Sequence, residues 1–94
     1  MNTMDDLTAK RKQINQINKQ LTKLLKQRFA LVAAIGSYKA EHHLPTFDPQ
    51  REKAILKQVT AGSDDPALNA YLTTVFQTIM KQSRQYENKQ RGGK

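Results

Sequence analysis

The chain has no cysteine, only 3 prolines and 4 glycines, and 6% aromatic residues. Without cysteine there is no disulfide framework and no thiolate metal site, and the composition points to a cytoplasmic protein. No apolar run approaches the ~20 residues that a membrane span requires. The start from Met1 to Asp6 is acidic and lacks the basic and apolar regions of a signal peptide. A glycine-rich phosphate loop, Cys/His pairs and metal-ligand spacing are also missing. His42-His43 has no third ligand in view and reads as a solvated helix end. No cofactor and no metal are therefore expected. The aromatics Tyr38, Phe47, Tyr71 and Phe76 read as core or dimer packing rather than as base-stacking platforms.

Acids are scarce too, with 8 Asp and Glu against 16 Lys and Arg and a net charge of +8. Such an excess suits a nucleic-acid backbone, and it equally suits a dianionic metabolite. Lys19, Lys23, Lys26, Lys57 and Lys81 fall on polar faces and read as solvated charge. Arg11, Arg28 and Lys39 differ, because they lie in one unbroken helical pattern whose other inward positions are aliphatic. An unpaired charge on such a seam is costly, and too few acids face it to supply partners. A small anionic ligand is implied.

With 94 residues and 37% hydrophobic content the chain is expected to form a single domain, residues 1–94. A compact monomer of this size has a radius of gyration of roughly 12 Å. The pattern is all-α, with three helices and no strands. From Leu7 the a and d positions read Leu7, Lys10, Ile14, Ile17, Leu21, Leu24, Arg28, Leu31, Ile35 and Tyr38. No proline interrupts this stripe before Pro45, and Thr3 or Asp5 can cap its start, so one helix is predicted over about 5–42. At 1.5 Å per residue it is roughly 55 Å long, too long for a compact monomer, so most of the stripe needs a second chain. Asp48-Pro49 and Gly62 bound a second helix over about 49–61, with Asp48, Glu52, Ile55, Leu56 and Val59 on one face. Asp65-Pro66 opens a third, over about 66–87, whose stripe is Leu68, Leu72, Val75, Phe76, Ile79, Ser83 and Glu87. The tail from about 88–94 is expected to be disordered.

Arg11, then Gln27-Arg28-Phe29, Gly36 and Lys39, Asp48 with Arg51-Glu52, and Phe76-Gln77 leading to Ser83 and Glu87 form an ordered set across three helices. In that set the chain resembles the all-helical class of chorismate mutases, over about residues 6–88. The resemblance implies an intertwined homodimer with two equivalent sites. It implies the Claisen rearrangement of chorismate to prephenate, on the route to phenylalanine and tyrosine. A unimolecular rearrangement needs no nucleophile, metal or proton shuttle. It needs a dianion held in a compact geometry and donors at the ether oxygen where charge develops.

Carried over residue by residue, the resemblance assigns Arg28 and Arg11 to the substrate carboxylates and Lys39 to the ether oxygen and a carboxylate. Asp48 and Glu52 fall to the ring hydroxyl and its surroundings, Arg51 to electrostatic support, and Ser83 to a carboxylate. Arg11 and Lys39 are 28 positions apart on one helix, or roughly 42 Å, whereas Arg28 and Lys39 are about 16 Å apart and nearly in phase. Arg11 is therefore expected to come from the partner chain.

Glu87 stands where the family often has glutamine, whose amide donates to the ether oxygen. An ionised carboxylate cannot donate, so Glu87 must be protonated for this role, and activity is expected to be highest at acidic pH. The chain is one residue shorter than the family pattern between Asn69 and Leu72, so Ser83 and Glu87 are assigned by their spacing from Phe76-Gln77. Two alternatives stand behind the mutase. One is a lyase on the same fold that eliminates pyruvate from isochorismate. The other is a basic helical module binding nucleic acid or a protein partner, which would expose its cations, whereas Arg28, Glu52 and Glu87 are predicted to face inward.

Overall fold

The computed structural model describes residues 3–92. Among the described residues there are three helices and no strand: α1 (Thr3–Glu41), α2 (Pro49–Ala61) and α3 (Pro66–Gln90). α1 continues for 39 residues because nothing in it removes a backbone donor, and Gly36 is its only glycine. It begins at Thr3, so Asp5 lies inside the first turn beside Asp6 rather than capping the helix, and both charges complement the helix dipole. No helix among the described residues is long and apolar enough to cross a membrane.

The chain divides after Leu31 into two compact units. In the first, Leu7, Ile14, Ile17, Leu21, Leu24 and Leu31 are all 43–65% exposed. In the second, α2 packs on α3, and the last turns of α1 approach α3 at Gly36. Val32 and Met80 are its buried apolar side chains, flanked by the half-buried Ile55, Leu56 and Val59 of α2 and Leu72, Phe76 and Ile79 of α3. The stripe predicted for α3 changes character along its length. Leu68 and Val75 are exposed, while Ser83 and Glu87 at the far end are buried.

Both short helices start as the sequence predicts. The Asp48 carboxylate accepts from the Arg51 N–H at 3.1 Å, and the Asp65 carboxylate accepts from Ala67 and Leu68 at 3.0 and 3.3 Å. Asp48 does not join the inward face of α2. Its carboxylate turns back onto the helix's own first turn, and the residue stays exposed. Gly62 ends α2 at φ −87°, a conformation open to any residue, so its glycine freedom is not what stops the helix.

Two expectations change. α3 continues to Gln90, and Arg91 beyond it is half-buried, because side-chain bonds hold Asn88 and Arg91 to the α1–α2 loop. Gly93 and Lys94 lie outside the described residues. Of the aromatics expected in core or dimer packing, Tyr38, Phe47 and Tyr71 are 57%, 52% and 73% exposed within the single chain, so they are not core, and the dimer alternative stands for them. Tyr38 stacks on His42 with ring centroids 4.0 Å apart, and Phe47 lies beneath the Arg84 guanidinium.

Candidate active site

The second unit gathers most of the chemistry-bearing residues at the end of α1, the loop after it, the start of α2 and the end of α3. Gly36 is the reason α1 and α3 can meet there. A Cβ on Gly36 would sit 2.8 Å from Cγ of Glu87, so only a bare backbone lets that side chain pass. Glu87 is 5% exposed and Ser83, one turn earlier, 7%.

The Glu87 carboxylate meets the Lys39 ammonium, Nζ to Oε1, at 3.2 Å. This is an ion pair without hydrogen-bond alignment, because Oε1 has no hydrogen-bond partner. Lys39 does donate a well-formed bond to the Thr46 carbonyl at 2.9 Å. Arg91, one turn beyond Glu87, brings a second cation to 4.0 Å from the same oxygen. A buried carboxylate needs such company, since removing one partner of a buried pair costs several kcal/mol (~3–5). Ser83 donates its hydroxyl to the Ile79 carbonyl at 2.7 Å, one turn back.

A second cluster forms at the start of α2. Glu52 is half-buried and accepts from Arg84 of α3, whose Nη1 reaches both carboxylate oxygens. The Arg84 guanidinium carbon is 4.9 Å from the Phe47 ring centroid, within cation–π range. Asp48 is taken up by its cap, and Arg51 is exposed.

The structure thus joins Lys39 with Glu87 and groups Asp48, Arg51 and Glu52 in one helical turn. Arg28 is half-buried and Arg11 exposed, both in the first unit. Sequence reasoning missed Thr46, Arg84 and Arg91. Arg91 left one trace, an i,i+4 relation to Glu87. Arg84 and Thr46 left none, because the acid that Arg84 meets is 32 residues away and the side chains that the Thr46 hydroxyl meets are 42 and 45 away.

Among the described residues three helices thus set a buried carboxylate against a half-buried ammonium, in a chain with a surplus of cations. Residues 10–88 match the model of the family described as chorismate mutase type II, and the chain belongs to that family. It is similar to a "bifunctional chorismate mutase/prephenate dehydratase" of Buchnera aphidicola subsp. Schizaphis graminum, 36% identical over 84 residues that make up 88% of this chain and 22% of that one. It is also similar to the T-proteins of Enterobacter agglomerans and Haemophilus influenzae. The first is 36% identical over 88% of this chain and 22% of its own. The second is 30% identical over 94% and 24%. The chain spans about a quarter of the length of these curated relatives.

Proposed function

We propose that the protein is a chorismate mutase, converting chorismate to prephenate in phenylalanine and tyrosine biosynthesis, and that it works as a homodimer with two equivalent sites. The observation that carries this is the pairing of Lys39 with the buried Glu87 at 3.2 Å, set in a chain of this family. In the rearrangement the ether C–O bond breaks as a C–C bond forms within one molecule, and negative charge grows on the ether oxygen. Lys39 has three N–H donors. One bonds Thr46, one faces Glu87, and the third is left for that oxygen or a neighbouring carboxylate. Glu87 donates to the same oxygen when protonated. Arg28 and Ser83 take substrate carboxylates, Glu52 and Asp48 the ring hydroxyl and its surroundings, and Arg51 adds positive potential.

Burial supports the dimer. Only Val32 and Met80 are buried apolar residues among those described, while Leu7, Ile14, Ile17, Leu21, Leu24, Leu31, Ile35 and Tyr38 are exposed along α1. A contiguous apolar stripe of that extent marks an interface. A second copy covers it, and Arg11 of the partner subunit completes the site. The cytoplasm is the setting that the composition suggests, and cell fractionation tests it.

The direct test incubates the purified chain with chorismate and, separately, with isochorismate, and identifies the products. Prephenate from chorismate is expected. Release of pyruvate from isochorismate alone favours the lyase, and consumption of neither with tight nucleic-acid binding overturns the enzymatic reading. Donation of Arg11 is tested by mixing two inactive variants, Arg11→Ala and Arg28→Ala. Half of the re-formed dimers are mixed and each has one intact site, so about a quarter of wild-type activity returns. No recovery after subunit exchange refutes the shared site.

A further inference from the structure

We propose that Arg91 is a positioning residue that fastens the α1–α2 loop to α3 and thereby holds Lys39 in its working place. The inference rests on the mutase reading, and it concerns a residue in the tail that sequence reasoning left disordered.

The loop has little backbone support. His42, His43 and Leu44 donate back into the last turn of α1, and the next backbone bond is Glu52 to Asp48, inside α2. Pro45 has no N–H to offer. What holds the corner is side chains. The Arg91 fork straddles Pro45, with Nη2 donating to the Leu44 carbonyl and Nη1 to the Thr46 hydroxyl, each at 2.9 Å. The Thr46 hydroxyl in turn donates a hydrogen bond to Oδ1 of Asn88 of α3 at 2.6 Å. Its carbonyl accepts from Lys39 at 2.9 Å.

Thr46 is therefore the joint between the latch and the ammonium. Its hydroxyl is tied to α3 through Arg91 and Asn88, and its carbonyl sets one of the directions in which Lys39 can point. The charged groups that reach the Glu87 carboxylate among the described residues are Lys39 from α1 and Arg91 from α3, with none from α2. A guanidinium suits the task because it can serve two acceptors at once, which a single ammonium nitrogen does less well across this separation. Displacing a group that contacts the reacting atoms by about 1 Å costs up to a hundredfold in rate. Loosening the loop should thus be read out at Lys39, in the chemical step more than in binding.

The test compares the wild-type chain with Arg91→Ala, Arg91→Lys, Thr46→Val and the Arg91→Ala/Thr46→Val double variant, each shown to be helical at the assay temperature. Arg91→Ala is expected to lower kcat about tenfold with KM changed less than about twofold, and Arg91→Lys to fall between it and wild type. If Arg91 acts through Thr46, the double variant loses no more than Arg91→Ala alone. Independent losses that multiply, or an Arg91→Ala kcat within about twofold of wild type, overturn the latch. If Arg91→Ala fails to fold, Arg91→Lys and Thr46→Val supply the same comparison. Amide hydrogen exchange at Leu44, whose N–H donates to the Lys39 carbonyl at 2.8 Å and whose own carbonyl Arg91 holds, reads the latch without activity, and should speed up about tenfold in Arg91→Ala. Unchanged exchange overturns the latch. A wild type that leaves chorismate untouched overturns the functional reading instead, and exchange still decides the latch.

Discussion

Gly36→Ala is the substitution for which two ordinary effects oppose each other and the structure decides between them. In a solvent-exposed helix interior, alanine in place of glycine is worth about 1 kcal/mol of added stability. At Gly36 the new methyl would lie 2.8 Å from Cγ of Glu87 and 3.6 Å from both the Glu87 carbonyl and Cγ of Arg91. The closest of these is not the free end of a side chain. Glu87 is 5% exposed, and its carboxylate is held by Lys39 at 3.2 Å. Overpacking of this kind costs about 1–3 kcal/mol, so the net change is a loss of about 0–2 kcal/mol rather than a gain.

Activity should suffer more than stability. The methyl can be accommodated only if the Glu87 side chain swings or α3 backs away, and either motion opens the contact with Lys39. A misplacement approaching 1 Å lowers kcat/KM by about tenfold to a hundredfold. Thermal unfolding followed by circular dichroism and initial rates of chorismate loss, on the same preparation, give both numbers. A variant about 1 kcal/mol more stable than wild type, with unchanged kcat/KM, would show that helix propensity governs this position and that Glu87 does not pack against it.

Three further outcomes are expected. Arg84→Met keeps the aliphatic stem but strips Glu52 of its cation and Phe47 of its guanidinium, and should cost about 1 kcal/mol in thermal unfolding; an unchanged melt removes that pair from the stability of the second unit. Glu87→Gln keeps a donor for the ether oxygen and Glu87→Ala removes it, so chorismate turnover should persist in the first and fall in the second; equal rates in the two refute the donor role. Gly62 has φ −87°, and a methyl added there would meet nothing within 4 Å, so Gly62→Ala should raise stability by about 0.4–1 kcal/mol, seen as a higher urea midpoint at constant slope; a lower midpoint contradicts it.

The helices were legible because their ends carry local chemistry. Asp48-Pro49 and Asp65-Pro66 encode a cap and a first turn within a few residues, and the long stretch before Pro45 encodes continuity by the lack of breakers. The pairing of Lys39 with Glu87 was legible only as two positions in an ordered pattern, and the contact between them depends on Gly36, whose role no local rule gives. Asp48 was legible as the cap of α2 but not as an exposed residue, because period alone puts it on the inward face whereas the cap turns its carboxylate back onto the helix. Arg84 and Arg91 were invisible for a different reason. Apart from the i,i+4 relation of Arg91 to Glu87, their partners lie across 32 and 45 or more residues, so those contacts exist only once α3 has packed.

Charge counting ties dimerisation to binding in the proposed mechanism. In the second unit's site, the cations Lys39, Arg51, Arg84 and Arg91 stand against Asp48, Glu52 and Glu87. Arg84 is engaged with Glu52, and Lys39 and Arg91 share Glu87, so little positive charge is left over there. In the dimer proposed above, a dianion would meet further positive charge from Arg11 of the partner subunit. On that proposal, association would bury the exposed leucines and isoleucines of α1 and supply a cation for the carboxylates of the substrate. By linkage, a ligand bound across both chains must stabilise the dimer to the same extent that the dimer favours the ligand.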